Sequence, residues 1–331
     1  MNQDLLIRLF RTIEGEKNDD IVQVANLIIT DEQQKGHVKL AEKLNNILQN
    51  NIQSTHQFRG ELRNILPLDV SIPTDKRYNF PLAKHIDRDN LRHEMVLPDI
   101  TEEKIRNIEK EFAAKERLAN FGLKHKQKIL LYGEPGCGKS MSAERIAWNL
   151  GLPFLKVKFD VIISSFLGDT ANNLTKLLDG VKDYPCVLLF DEFDIVGKAR
   201  NNSQDVGEMH RIVNVFLTLL EDYNSNGLLI ATTNLENSLD SALFRRFDDI
   251  IEIPKPDKNE ILRLLNLTLS SIEKAKDIDW KMIAEKLNGY SAALVVKIAN
   301  DAAKIAVINN EKVVRVNHIE KSIKENIHYT K

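Results

Sequence analysis

Two cysteines, Cys137 and Cys186, are all that the 331 residues contain. That is too few for a disulfide framework, and no metal-ligand spacing accompanies them; the count suits a reducing cytosol. An excess of one charge is missing too. Lys and Arg number 46 against 48 Asp and Glu, so no basic surplus advertises nucleic acid or an anionic membrane as the partner. Long apolar runs are also absent. The opening stretch MNQDLLIRLFRTIEGEKND mixes apolar and charged residues at helical spacing, without the unbroken apolar segment of a signal peptide or membrane span. A cytoplasmic location is expected. The sequence shows no internal repeat and no low-complexity tract.

What is present suits one or two soluble globular domains with a sizeable core: 43% of residues are hydrophobic and 28% charged. In residues 1–55, the sets Leu5, Leu6, Leu9, Phe10 and Ile13, then Ile21, Val24, Ala25, Ile28 and Ile29, then Leu40, Leu44, Ile47 and Leu48 recur at helical intervals. They predict a small region of about three helices, a candidate for substrate or partner binding. Residues 56–100 carry Pro67, Pro73, Pro81 and Pro98 and few periodic apolar positions, the pattern of a linker or irregular arm. Over residues 101–254 the short apolar runs KILLY, PFLKVKF, CVLLF, LLIATT and DIIEI alternate with helical stretches. That alternation predicts an α/β core, a doubly wound parallel sheet covered on both faces. Residues 255–331 read as a helical lid, its last helix starting at an Asn317 N-cap with Glu320 as capping partner.

The densest chemical signal lies after the first of these strands. KILLY runs into Gly133-Glu-Pro-Gly-Cys-Gly-Lys-Ser140, and the helical stretch MSAERIAWNL follows. This is a phosphate-binding loop in the strand, loop and helix setting it requires. Gly133, Gly136 and Gly138 let the backbone turn tightly enough to aim N–H groups at phosphate oxygens, and the helix N-terminus adds a favourable field. Pro135, Cys137 and Met141 complete the expected contacts with ATP. Lys139 is expected to hold the β and γ phosphates and the Ser140 hydroxyl to ligate Mg²⁺. Cys137 needs no redox role, because the position tolerates any small side chain.

A metal-bound triphosphate needs a carboxylate as well, and CVLLFDEFD supplies it at the end of an apolar strand. Asp191 there can reach Mg²⁺ directly or through water. Glu192 is the candidate general base for the attacking water. The strand GLLIATTN ends at Asn234, whose amide could orient that water from the opposite side; alone, such an Asn is an ordinary turn residue. Arg245 and Arg246 precede the last strand. Adjacent arginines are usually a solvated surface, but hydrolysis at a γ phosphate gains from an external cation.

Taken together, GEPGCGKS, LLFDEFD, IATTN and LDSALFRRFDD resemble an AAA-family ATPase, in particular the branch of protein unfoldases and disassembly enzymes. The resemblance implies a P-loop NTPase core with a helical lid, assembled as a homo-hexamer with nucleotide between subunits. It makes Asn234 the first sensor and sends Arg245 and Arg246 to a neighbour's γ phosphate. Gly289 and Ala293 match the family's lid segment against the adenine, with Ala292 in place of the usual glycine and no arginine second sensor. SSFLGDTANNL resembles the family's pore loop, which places Phe166 and Leu167 against a protein substrate. Where the family has Asp-Ile-Gly-Gly before the first helix, HEMVLPDIT stands instead, so the frame of the adenine is left open. In outline the chain is similar to bacterial AAA proteins encoded beside a subtilisin-like protease and linked to phage defence, which implies a protease or an adaptor as partner. Protein remodelling is the leading expectation; a DNA loader or translocase and an ATP-dependent scaffold or switch are the alternatives.

Overall fold

All five strands expected after residue 101 are present in a computed structural model, which describes scattered positions from 25 to 48 and residues 72–76, 78–164, 169–193, 215–234 and 244–327. The chain divides into two units, Met1–Val70 and Ser71–Lys331. In the first, Ala25 and Ile29 are buried with Ala41, Leu44 and Leu48, and Ile28 and Leu40 pack against them. Those spacings of three, four and seven are the helical ones the sequence shows. The first set, Leu5 to Ile13, lies outside the described residues.

The second unit holds the sheet. In chain order its elements are β1 (Ala83–Ile86), α1 (Asp99–Ala113), α2 (Lys115–Asn120), β2 (Lys128–Tyr132), α3 (Lys139–Leu150), β3 (Phe154–Val157), α4 (Phe159–Ser164), α5 (Asp169–Val181) and β4 (Val187–Phe190). β5 (Leu228–Thr233) and β6 (Asp249–Glu252) follow a helical stretch over residues 215–222. The sheet order is β1-β3-β4-β5-β2-β6. β2 to β6 pair in parallel, and β1 joins the edge antiparallel to β3. That edge strand lies in the segment whose prolines suggest an arm. Four residues of mixed polarity, with His85 and Lys84 exposed, carry little strand signal of their own.

Alternation along the strands builds two cores. Leu130, Leu155, Leu188, Phe190, Leu229 and Ala231 face one layer with Ile162, Leu177 and Phe216. Ile129, Leu131, Phe154, Val187, Leu189, Leu228 and Ile230 face the other, under α1 and α3. β4 and β5 are buried at every position, which is why they read as continuous apolar runs and not as alternating ones. On α1 the buried residues are Thr101, Ile105, Ile108 and Phe112, one stripe at helical period.

The C-terminal part is α6 (Lys258–Thr268), α7 (Trp280–Lys286), α8 (Ala292–Ile308) and α9 (Val316–Ile327), with two short parallel strands, β7 (Glu273–Lys274) and β8 (Val313–Val314). Ile261, Leu265, Ile283, Val295, Ile298, Ala302 and Ile319 form its core. Asp257 and Glu260 cap α6 reciprocally. The expected cap of α9 is corrected: the helix begins at Val316, one residue before Asn317. The Arg315 N–H donates to His318 Nδ1 at 3.2 Å, while Glu320 pairs with Lys286 at 2.8 Å. A histidine three residues into the turn fills the role the pattern assigns to Glu or Gln.

Candidate active site

The carboxyl ends of β2, β4 and β5 meet at the middle of the sheet, where an open α/β sheet places its ligand. The loop leaving β2 is clamped at its root: the Ile253 N–H donates to Tyr132 O at 2.8 Å. Gly133 follows with φ 141°, and a Cβ there would lie 2.3 Å from Ile253 O. Only glycine fits, because both the backbone angle and the close carbonyl exclude a side chain. Gly133→Ala is therefore expected to destabilise the protein by roughly 1–3 kcal/mol, read as a lower urea midpoint. Gly136, with φ 77°, meets the lid: its Cβ would lie 3.0 Å from Ser291 Oγ, and its carbonyl accepts the Ala293 N–H at 2.9 Å. Ser291 also caps α8. The phosphate loop and the first turn of a lid helix are thus hydrogen-bonded to each other.

Lys139 opens α3 and is 8% exposed. Its Nζ donates to Gly133 O, Glu134 O and Asn234 Oδ1, each at 2.8 Å. These three carbonyl oxygens hold the buried ammonium at the loop, a cation placed for an anion. Ser140 Oγ donates to Asp191 Oδ1 at 2.6 Å, and Thr232 Oγ1 donates to the same oxygen at 2.7 Å. Lys156 Nζ stands 2.5 Å from Asp191 Oδ2. Burial alone pushes the Asp191 carboxyl up, but the hydrogen bonds from Lys156, Ser140 and Thr232 together outweigh it and hold the group below its ordinary range. The Glu192 N–H donates to Thr232 Oγ1 at 3.0 Å, so one hydroxyl ties both members of the acidic pair to β5. Glu192 has φ 54°, a left-handed backbone at a non-glycine residue, and its side chain is exposed.

These groups line a cavity of about 730 Å³ that also takes in Pro135, Gly136, Cys137, Gly138 and Met141. Its apolar wall is Met95 and Val96 from the segment before α1, Leu264 and Leu267 of α6, and Ala292, Ala293 and Val296 of α8. A polar floor with a cationic centre and an apolar wall is what a nucleotide needs, its phosphates on the first and its base on the second. The family model for the ATPase family associated with various cellular activities (AAA) matches residues 129–255. The AAA family ATPase y4kL of Sinorhizobium fredii is 33% identical over 93% of this chain and 91% of its own length. The chain belongs to the AAA family of ATPases. It binds nucleotide and hydrolyses ATP.

Within this AAA domain the structure gathers Lys139, Ser140, Asp191, Glu192 and Asn234 at the cavity and leaves four predicted residues off its lining: Gly133, at the root of the loop, Gly289, Arg245 and Arg246. Gly289 sits in the turn before α8 with φ 87° and open space around its Cα, while Ala293 lines the cavity. Arg246 is half-buried and pairs with Glu221 at 2.6 Å. Arg245 is exposed. Phe166 and Leu167 lie outside the described residues. Cys137 is 3% exposed, and burial pushes its thiol up; Cys186, deeper still, is pushed to about 12. Both stay thiols at neutral pH, inert as nucleophiles.

Several contributors were not singled out from the sequence. HEMVLPDIT supplies Met95 and Val96 to the apolar wall. Just before it, Arg92 donates from its backbone and its Nε to Glu144 Oε2 of α3, both at 2.9 Å, fixing that segment to the helix behind the phosphate loop. Thr232 had one visible signal, a hydroxyl residue that with Thr233 closes an otherwise apolar strand. Lys156 had the matching one, a charge inside β3.

Proposed function

We propose that this AAA ATPase works as a homo-hexameric ring that uses Mg-ATP hydrolysis to remodel, unfold or thread a protein substrate. The observation that carries the assembly is the position of Arg245. The cavity holds every group the reaction needs from its own subunit, whereas Arg245 points no contact at it and stays exposed, available to a second copy. A cation for the γ phosphate then comes from the neighbouring subunit. Arg92, which lines the cavity, has its guanidinium taken by Glu144.

The donor set fits Mg²⁺. Among the described residues no group of three or more His, Cys, Asp or Glu could hold a metal by itself, but Ser140 and Asp191 offer the one hydroxyl and one carboxylate that Mg²⁺ takes beside phosphate oxygens. Bound there, Mg²⁺ would neutralise charge on the β and γ phosphates. Lys139 holds those phosphates by charge, Glu192 takes the proton of the attacking water, and Asn234, tied to Lys139 through its Oδ1, keeps its amide toward the same water.

Phe166 and Leu167 grip the substrate in the pore on the resemblance of their segment to an AAA pore loop. Residues 1–55 are the part available to select it, directly or through an adaptor. A partner protease, cytoplasmic location and a role in phage defence fit the same outline. The test has two parts. A Glu192→Gln ring trapped with ATP in cells is expected to retain a protein substrate, and Phe166→Ala is expected to lose ATP-driven unfolding of that protein while still turning over ATP. Unfolding unchanged in Phe166→Ala would rule out threading. Salt-dependent DNA binding with DNA-stimulated turnover would move the assignment to a DNA-acting AAA protein.

A further inference from the structure

Lys156 belongs to none of the motifs described above, yet it makes one of the shortest polar contacts in the site. β3 buries Phe154, Leu155 and Val157 and leaves Lys156 half-buried, the one charge in the strand. In register Lys156 lies beside Leu189 of β4, and Asp191 follows two residues along, on the same face of the sheet. A lysine stem can cover apolar surface over that distance and still present its ammonium to a carboxylate. On the other side Lys84 of β1 stands directly opposite Lys156. Like charges opposed across an antiparallel pair repel, so Lys84 drives the Lys156 ammonium toward Asp191. The two carboxylate oxygens are divided: Oδ1 accepts from Ser140 and Thr232, and Oδ2 faces Lys156 at 2.5 Å.

We infer that Lys156 is a built-in counter-cation for Asp191 that a divalent ion must displace, and thus a positioning residue that sets how much metal the nucleotide site requires. The inference rests on reading Asp191 as the metal-holding carboxylate. With no metal present, Lys156 cancels the charge of Asp191, which would otherwise repel a triphosphate held at Lys139. With metal present, the ammonium and the ion compete for one oxygen. Removing the ammonium therefore acts in opposite directions on two equilibria, which a merely structural loss would not do.

The experiment measures binding, not turnover. Free Mn²⁺ is followed by its electron paramagnetic resonance during titration of protein loaded with a non-hydrolysable ATP analogue, and affinity for the same analogue is measured in chelator. Lys156→Met, which keeps the stem, is expected to bind Mn²⁺ about tenfold more tightly and to bind the analogue more weakly in chelator. Lys156→Arg is expected to return both toward wild type. If either affinity in Lys156→Met is unchanged or moves the other way, the inference is overturned. Asp191→Asn separates the two readings: weakened Mn²⁺ binding there with no effect of Lys156→Met removes only the counter-cation, whereas Mn²⁺ binding untouched in Asp191→Asn removes the metal-holding role and the inference with it.

Discussion

Arg245→Ala is expected to lower kcat by about 10³- to 10⁵-fold with nucleotide affinity kept, because the residue is exposed and lies off its own subunit's cavity lining, and in the proposed ring it serves a neighbour's nucleotide. Arg246→Ala is expected to do less. Its side chain is half-buried and already pairs with Glu221 at 2.6 Å. The structure thus divides two adjacent arginines into an exposed one and one paired with Glu221. Mixing subunits tests whether Arg245 acts across an interface. Arg245→Ala keeps its phosphate loop and lacks the finger; Lys139→Ala lacks the loop and keeps the finger. Each alone should be nearly inactive, and a mixture should regain ATPase activity at interfaces that join an intact loop to an intact Arg245. Absence of rescue, with mixed rings shown to form, would place the arginine in its own subunit's chemistry or outside the reaction.

Legibility from the sequence followed how local each feature is. The phosphate loop, the acidic pair and the five apolar strands were visible because glycine spacing, strand burial and the following helix are all encoded within a dozen residues. β1 was not. Its residues gain a strand conformation by pairing with β3, and Ala83 and Ile86 alone give no period to detect. The apolar wall of the cavity was hidden for a similar reason: Met95, Val96, Leu264 and Val296 come from three separated segments, and nothing in any one of them announces the others. Arg245 and Arg246 looked equivalent in the chain, since only the position of Glu221 distinguishes them. The last helix shows the limit of pattern reading at its finest: Asn317 and Glu320 satisfy the capping pattern, but Arg315 and His318 make the bond, two residues out of step.

Glu192→Gln is expected to reduce kcat by about 10²- to 10⁴-fold while ATP still binds, since the amide keeps the side chain's shape and cannot accept the water's proton. The backbone makes a sharper test available. At φ 54° Glu192 occupies the left-handed region, which costs a non-glycine residue roughly 1–2 kcal/mol. The conformation is imposed from β5: Thr232 Oγ1 accepts the Glu192 N–H at 3.0 Å, and Thr232 O accepts the Phe193 N–H at 2.7 Å. Glycine at this position would remove the strain but add roughly 0.5–1 kcal/mol of unfolded-state entropy, a net gain of about 0–1.5 kcal/mol. Glu192→Gly is therefore expected to melt at or slightly above the wild-type temperature and to lose hydrolysis as completely as Glu192→Gln. A drop in melting temperature would mean that the carboxylate, not the backbone, holds this turn in place. Retained hydrolysis would remove Glu192 as the base. Stability kept with activity gone would identify the strain as the cost of aiming one carboxylate into the cavity from a turn that any glycine could make more easily.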